Sequence, residues 1–398
     1  MPVDFLEIRD QIKQIGALAP QDAKRLHKLR QEARQFLEVN ASELDNLRDK
    51  VKLAASQDQF LRCALPVNEP LNSSFPAPPL PKNATILAAD GSQINPDRHA
   101  PLNFYLINVG ALTMRQGSSQ APIATVETNL YFNEYSSSGT VSENRVSLER
   151  DTSERKVMAK LAQDAAQPII TMTDGPMELW GGKGKNTDDT ETFTKSLEEY
   201  KQSLLELQVL GAAAGGYVDK PRADLVVQLL EVASTHRDEL KELRANRPLR
   251  GVTDANLFRP ILEPGHRSAV FAIQSKSAAQ YKRDLALHFF YLNVGRPDNP
   301  WFARVEIPSW VAGNPEMLNN LHAVLIDQCR ILGTRAYPYL LHRAHEEALV
   351  TREEKEQIMA MLMSELQAQG VEPGQESQKQ AVKNLSGRRR FSLGSKRY

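Results

Sequence analysis

The sequence predicts an α/β protein built on one mixed sheet with flanking helices, preceded by an N-terminal helical segment. Three observations carry this. Apolar residues in the first 62 positions recur at three–four spacing, as on one face of a helix. A proline-rich stretch follows. Beyond residue 84, short apolar runs rich in branched and aromatic residues alternate with long charged stretches.

Each element follows from its residues. Leu26, Leu29, Ala33 and Phe36 share one stripe; Leu44, Leu47, Val51 and Ala54 resume it after a slip in phase. Ser42 and Asp45 between them have the pattern of a helix N-cap. A helical hairpin or a single helix with a stutter both fit. Pro66, Pro70, Pro76, Pro78, Pro79 and Pro81 cannot sit in a helix or a central strand, so 63–83 is expected as a stiff linker. Strands are expected at 85–89, ending at Asp90-Gly91, and at 102–109 and 123–132. A charged helix is expected at 142–166 and a strand at 168–173 ending at Asp174-Gly175. A helix at 190–213, a strand at 216–218 and a helix after Pro221 follow. Three strands, helix, strand, helix, strand is the chain order of the ribonuclease H-like fold. Further strands are expected at 267–273, 287–294 and 302–307, and helices at 314–332 and 340–369. The tail from 370 is polar and ends in GRRRFSLGSKRY, a composition expected to stay disordered. The domains are thus a helical extension (1–62), a linker (63–83), a body (84–369) and a tail (370–398).

Composition excludes several classes. No apolar run approaches the ~18 residues of a membrane-spanning helix. The only cysteines, Cys63 and Cys329, lie far apart without a CxxC, against a disulfide scaffold or a zinc–cysteine site and for a reducing, cytoplasmic setting. Lys+Arg and Asp+Glu both number 49, so no overall polybasic character draws the chain to nucleic acid.

Twice an apolar strand ends in Asp-Gly, at Asp90 and at Asp174. Alone, each is a common turn. In a ribonuclease H-like sheet the first and fourth strands are neighbours, which would bring the two carboxylates together. Such a pair calls for a cation, and Mg²⁺ or Mn²⁺ suits oxygen ligands. Glu154 falls in the first half of the intervening helix and would complete a three-carboxylate site of the two-metal phosphodiesterase kind, although a single helix Glu is by default a solvated charge. His342 and His345 open a late helix; the HExxH zinc pattern is absent there, and a histidine beside a carboxylate site could ligate metal or move a proton. GGKGKN at 181–186 lacks the phosphate-loop spacing and reads as a loop. No GxSxG nucleophile elbow occurs.

The residues in order resemble the NurA nuclease family: LAADGS at 87–92, Glu154, TMTDG at 171–175, GGYVDKP at 215–221, LEPGHRSAVF at 262–271, FFYLNVG at 289–295, ARVEIPSWV at 303–311 and AYPYLLHRAHEEALVTREE at 336–354. The resemblance implies metal-binding carboxylates at Asp90, Glu154 and Asp174, an active-site Tyr337 and His345 (the latter also a metal ligand), and a phosphate-binding Lys220. It implies a dimer, dependence on Mn²⁺ (or Mg²⁺), and DNA digestion as a 5′–3′ exonuclease and single-strand endonuclease. It further implies work with a HerA-like hexameric ATPase in DNA end resection. Pro176 stands where the family commonly has Ser, and the proline stretch is unusually long. A catalytically inactive scaffold that binds DNA or a translocase is the alternative.

Overall fold

The computed structural model describes residues 4–97, 102–132, 141–180 and 187–370. The GGKGKN segment and the basic tail from 371 lie outside the described residues. Helices α1 (Phe5–Val39) and α2 (Leu44–Gln57) come first, then short strands β1 (Cys63–Pro66) and β2 (Ser74–Phe75). The stripe is therefore carried by two helices with a break at 40–43, not by one continuous helix. Asp4 caps α1 by accepting from the N–H groups of Leu6 and Glu7. The Ser42 cap is not made: α2 begins after Glu43 without a side-chain cap.

The linker expectation needs correcting for its first part. Cys63–Pro66 pairs antiparallel with β9 (Phe271–Gln274), and Ser74–Phe75 pairs with β8 (Arg267–Ser268). The prolines are accommodated because both segments are short and peripheral, where a missing N–H costs no ladder bond. Leu71 between them is fully buried.

The remaining elements are β3 (Thr85–Ile94), β4 (Phe104–Arg115), β5 (Ile123–Phe132), α3 (Glu143–Gln163), β6 (Ile169–Asp174), α4 (Thr187–Val209) and β7 (Ala212–Asp219). Then come α5 (Leu225–Ser234), α6 (Asp254–Phe258), β8, β9, β10 (Leu287–Asn293), β11 (Phe302–Pro308), α7 (Ser309–Ala312), α8 (Pro315–Ile331), α9 (Tyr339–Ala348) and α10 (Arg352–Ala368). The expected helix 340–369 is two helices. Thr351 starts the second with a capping box, its hydroxyl accepting from the Glu354 N–H while the Glu354 carboxylate accepts from the Thr351 N–H. Among the described residues, no helix is long and apolar enough to cross a membrane.

The chain forms two compact units, each discontinuous in sequence. One contains residues 1–82, 174–178 and 213–339. Its strands follow the order β1-β9-β10-β11-β7, all antiparallel along the pairs β1–β9, β9–β10, β10–β11 and β11–β7. Strands β10 and β11 are buried on both faces, and Phe258, Phe271, Phe289 and Tyr291 stack into an aromatic core. Such two-sided burial explains why those strands read as continuous apolar runs.

The other unit contains 83–173, 179–212 and 340 onward, with strand order β5-β4-β3-β6. Strand β3 is antiparallel to β4 and parallel to β6, the mixed arrangement that the strand–helix order called for. Helix α3 lies against β3 and β4 and is flanked by α4. Ile94, Leu102, Phe104 and Leu106 form a small core covered by Ile358, Leu362 and Leu366 of α10. Two strands outrun expectation: β3 does not end at Asp90-Gly91 but continues to Ile94, and β4 continues past 109 to Arg115.

Candidate active site

The mid-strand position of Asp90 is made possible by two glycines. Gly91, its neighbour, lies under α3: a Cβ there would stand 2.6 Å from Arg150 Cγ and 2.7 Å from Glu154 Oε1. Gly110 pairs with Asp90 across the β3–β4 ladder and lies under α9, where a Cβ would meet Ala344 O and Ala348 N at 2.5 Å. Gly91 is thus not the turn residue expected but a close-approach residue. Both helices come down onto the strands at Asp90.

From α9, His345 reaches Asp90: its Nδ1 lies 2.6 Å from Asp90 Oδ2. A carboxylate only accepts, so Nδ1 carries the proton and Nε2 is left to face solvent. The other Asp90 oxygen accepts the Gly91 N–H at 2.9 Å. Helix α9 is held in place at its C-terminal end, where Ala348 O accepts from Asn108 Nδ2 at 2.8 Å and from the Ser92 hydroxyl. His342, one turn earlier, points instead to Glu346, 3.6 Å away on its own helix. Of the two histidines, only His345 is placed on the predicted carboxylate.

From α3 comes a three-residue charge cluster. Glu154 is 7% exposed. Arg150 lies 3.5 Å from Glu154 Oε1 and donates to Asp151 Oδ1 at 2.7 Å. Burial pushes the Glu154 carboxyl well above the usual range; Asp151 and Asp90 push it further, while Arg150 opposes them. Asp151 is raised for the same first reason, with Arg150 again opposing and Asp90 adding to the shift. Neither Arg150 nor Asp151 stands out in the sequence, because on a helix with this many charges each looks like an ordinary surface residue. Glu149, by contrast, accepts from the Tyr105 hydroxyl at 2.8 Å and pairs with Arg145, a structural role away from the cluster.

These residues fit a hard divalent cation by donor chemistry: carboxylate oxygens that disfavour one another's ionisation, with an imidazole nitrogen free beside them. Among the described residues, no three His, Cys, Asp or Glu side chains already surround a single point. Arg150 supplies the positive charge there.

The other three predicted residues, Asp174, Lys220 and Tyr337, belong to the first unit. Asp174 is the last residue of β6. Gly175, at φ +86°, turns the chain after Asp174, and its N–H donates to Tyr217 O at 2.8 Å. The turn is fastened further by Glu306, fully buried, which accepts from the Met177 N–H at 2.8 Å and pairs with Arg304 at 2.7 Å. A glutamate inside the apolar run FARVEIP is the signal that could have found it. Tyr337 packs edge-on against Tyr217, with centroids 5.5 Å apart. Lys220 follows the end of β7 with φ +45°, a left-handed conformation rare for a lysine, and its ammonium lies 5.4 Å over the Trp301 ring. The Trp301 indole N–H donates to Asp219 Oδ1 at 2.7 Å, so tryptophan and strand end hold each other.

A mid-strand aspartate bonded to a histidine, with acidic residues on the crossing helix, makes a carboxylate–imidazole cluster on an α/β sheet. The model of the NurA domain matches residues 84–350, and the chain belongs to that family. Its fold is similar to the crystal structure of the NurA nuclease from Sulfolobus solfataricus, with a TM-score of 0.52, 12% identity, and coverage of 91% of this chain and 98% of that one. A crystal structure described as NurA bound to dAMP and manganese aligns with a TM-score of 0.35 at 12% identity, covering 87% of this chain and 97% of that one. No curated protein matches the sequence.

Proposed function

We propose that the protein is a divalent-metal-dependent deoxyribonuclease that hydrolyses phosphodiester bonds, with Asp90, Glu154, Asp174, Lys220, Tyr337 and His345 as its working residues. The observation that carries this is the 2.6 Å contact between His345 and Asp90 beside the buried Glu154, in a chain of the NurA family. Asp90, Glu154, Asp174 and the free nitrogen of His345 would hold Mn²⁺ or Mg²⁺. When bound, such an ion would polarise a phosphate oxygen and make water more acidic. Asp90 fixes the His345 tautomer with the proton on Nδ1, which leaves Nε2 as the nitrogen offered to the ion. Lys220 offers its ammonium to a phosphate, and Tyr337 orients it. Arg150 has to give up Glu154 when another cation takes that carboxylate.

The same reading extends to biology. DNA is the substrate, digested as a 5′–3′ exonuclease and single-strand endonuclease. The chain works as a cytoplasmic homodimer with a HerA-like hexameric ATPase in DNA end processing. The helical segment offers faces for those contacts, since Phe5, Leu6, Ile12, Ile15 and Leu18 of α1 are exposed.

A nuclease assay on linear duplex and single-stranded DNA, with chelator, Mg²⁺ or Mn²⁺, tests the enzyme against the inactive scaffold. Cleavage should need the metal and vanish in Asp90→Ala and Asp174→Ala, with the fold retained by circular dichroism. Near-wild-type activity of either variant in Mn²⁺ overturns the assignment. Light scattering and ATP-dependent stimulation by the ATPase test the assembly.

A further inference from the structure

The turn between β10 and β11, together with the C-terminal end of α8, encloses a cavity of about 290 Å³ in the first unit. None of the roles given above uses it. Its walls include Gly265, Gly295, Arg296, Asn299, Arg330 and Thr334, and among the described residues no aspartate or glutamate lines it. Arg296 donates once, to Gly333 O at 2.8 Å, and forms no ion pair with a described residue. Arg330 forms none either. Asp327, on the preceding turn of α8, feels the field of Arg330 but does not line the cavity. A guanidinium has five N–H donors in a planar fork suited to phosphate. Two of them share this cavity with most of those donors unspent.

The walls are also shaped for close approach. Gly265 has φ +85° and presents bare backbone, and a Cβ built there would still lie 3.7 Å from Arg330. Gly295 cannot carry a side chain, since its Cβ would fall 2.2 Å from Trp301 N. That tight turn links the cavity to the end of the sheet that carries Lys220. Val294 N–H donates to Trp301 O at 2.8 Å, and Trp301 in turn holds Asp219 and lies under Lys220. The register agrees: Asn293 pairs with Phe302 and Ala303 with Asp219, so the β10–β11 turn and Lys220 occupy the same end of these strands.

We infer that this cavity is an anion subsite, holding a phosphate of the nucleic-acid substrate other than the one being hydrolysed. The inference rests on the nuclease reading for the identity of the ligand. Lys220 would neutralise the phosphate near the reaction, and Arg296 with Arg330 would grip a phosphate further along the strand. The same chemistry would accept the phosphate of a released mononucleotide, so the test separates the two sources.

The experiment uses the full chain, the double variant Arg296→Ala/Arg330→Ala, and Arg330→Lys. Both arginines are exposed, so folding should be unaffected. Binding of a labelled single-stranded oligonucleotide is followed by anisotropy over a range of salt concentrations, with chelator present to prevent cleavage. Losing the contact to one phosphate should lower the slope of log affinity against log salt by about 0.7, with about fivefold weaker binding near 0.1 M salt. Arg330→Lys should keep the slope. Competition by dAMP against the wild type but not the double variant would support the subsite with a mononucleotide as its occupant. An unchanged slope and affinity in the double variant overturn the proposal. The binding arm needs no cleavage: a wild type that binds DNA without cutting it sinks the nuclease reading, and the salt slope still decides the subsite.

Discussion

Replacing Gly110 by alanine should cost both stability and turnover, against the usual sign for a glycine in a strand. Elsewhere, the added methyl would stabilise by about 0.5–1 kcal/mol through lower backbone entropy in the unfolded chain. Here the Cβ would stand 2.5 Å from two backbone atoms of α9, whereas ordinary contact begins at 3.4 Å. Backbone cannot rotate aside as a side chain can, so the helix must retreat by about 0.9 Å. Overpacking of this kind costs about 1–3 kcal/mol, which exceeds the entropic gain. Moving with its helix, His345 would be carried from 2.6 Å to roughly 3.5 Å from Asp90, outside hydrogen-bond reach. Urea denaturation should therefore show Gly110→Ala less stable than wild type by about 1–2 kcal/mol, with nuclease turnover down at least tenfold. Gly16→Ala is the control: it lies in α1 with nothing near its Cβ position and should stabilise by up to about 1 kcal/mol. A Gly110→Ala protein as stable and as active as wild type would show that α9 is not pressed onto β4 as described.

Two further outcomes follow from the same geometry and chemistry. His345→Ala should lower turnover far more than DNA affinity, whereas His342→Ala, which loses only a surface contact to Glu346, should be near neutral; equal loss in both variants would reverse the assignment. Asp254 is fully buried, accepting from Val226 N–H, Val227 N–H and the Tyr291 hydroxyl, and burial pushes its carboxyl up to about 7. A carboxyl raised on folding gives stability that is complete below the unfolded value and lost as pH rises through the folded one. The wild type should thus lose about 2 kcal/mol relative to Asp254→Asn between pH 5 and pH 7 in denaturant titrations, and a constant difference would refute the shift.

Strand order was legible because apolar runs and charged stretches alternate sharply between residues 84 and 220, and that alternation reports burial directly. Asp174 ends its strand as the sequence suggests, whereas Asp90 lies within one. Gly91 suggested a turn, since sequence shows a missing side chain but not whether the space serves chain reversal or an incoming helix. Residues 63–75 were misjudged because proline forbids a central strand but not a short peripheral one. Asp151 and Arg150 were illegible for another reason: nothing in a charged helix says which turn will be pressed against a strand. The break before α10 is readable in Thr351 and Glu354, whose spacing is that of a capping box.

The contact between Asp90 and His345 joins residues 255 positions apart. During synthesis at about 5–20 residues per second, roughly 13–50 s separate the emergence of the two. Throughout that interval the aspartate is already on the nascent chain, while the imidazole that fixes its use has not been made. A ribosome-bound polypeptide of this sequence therefore lacks the pair, and the order of translation itself keeps it from forming before α9 has been made.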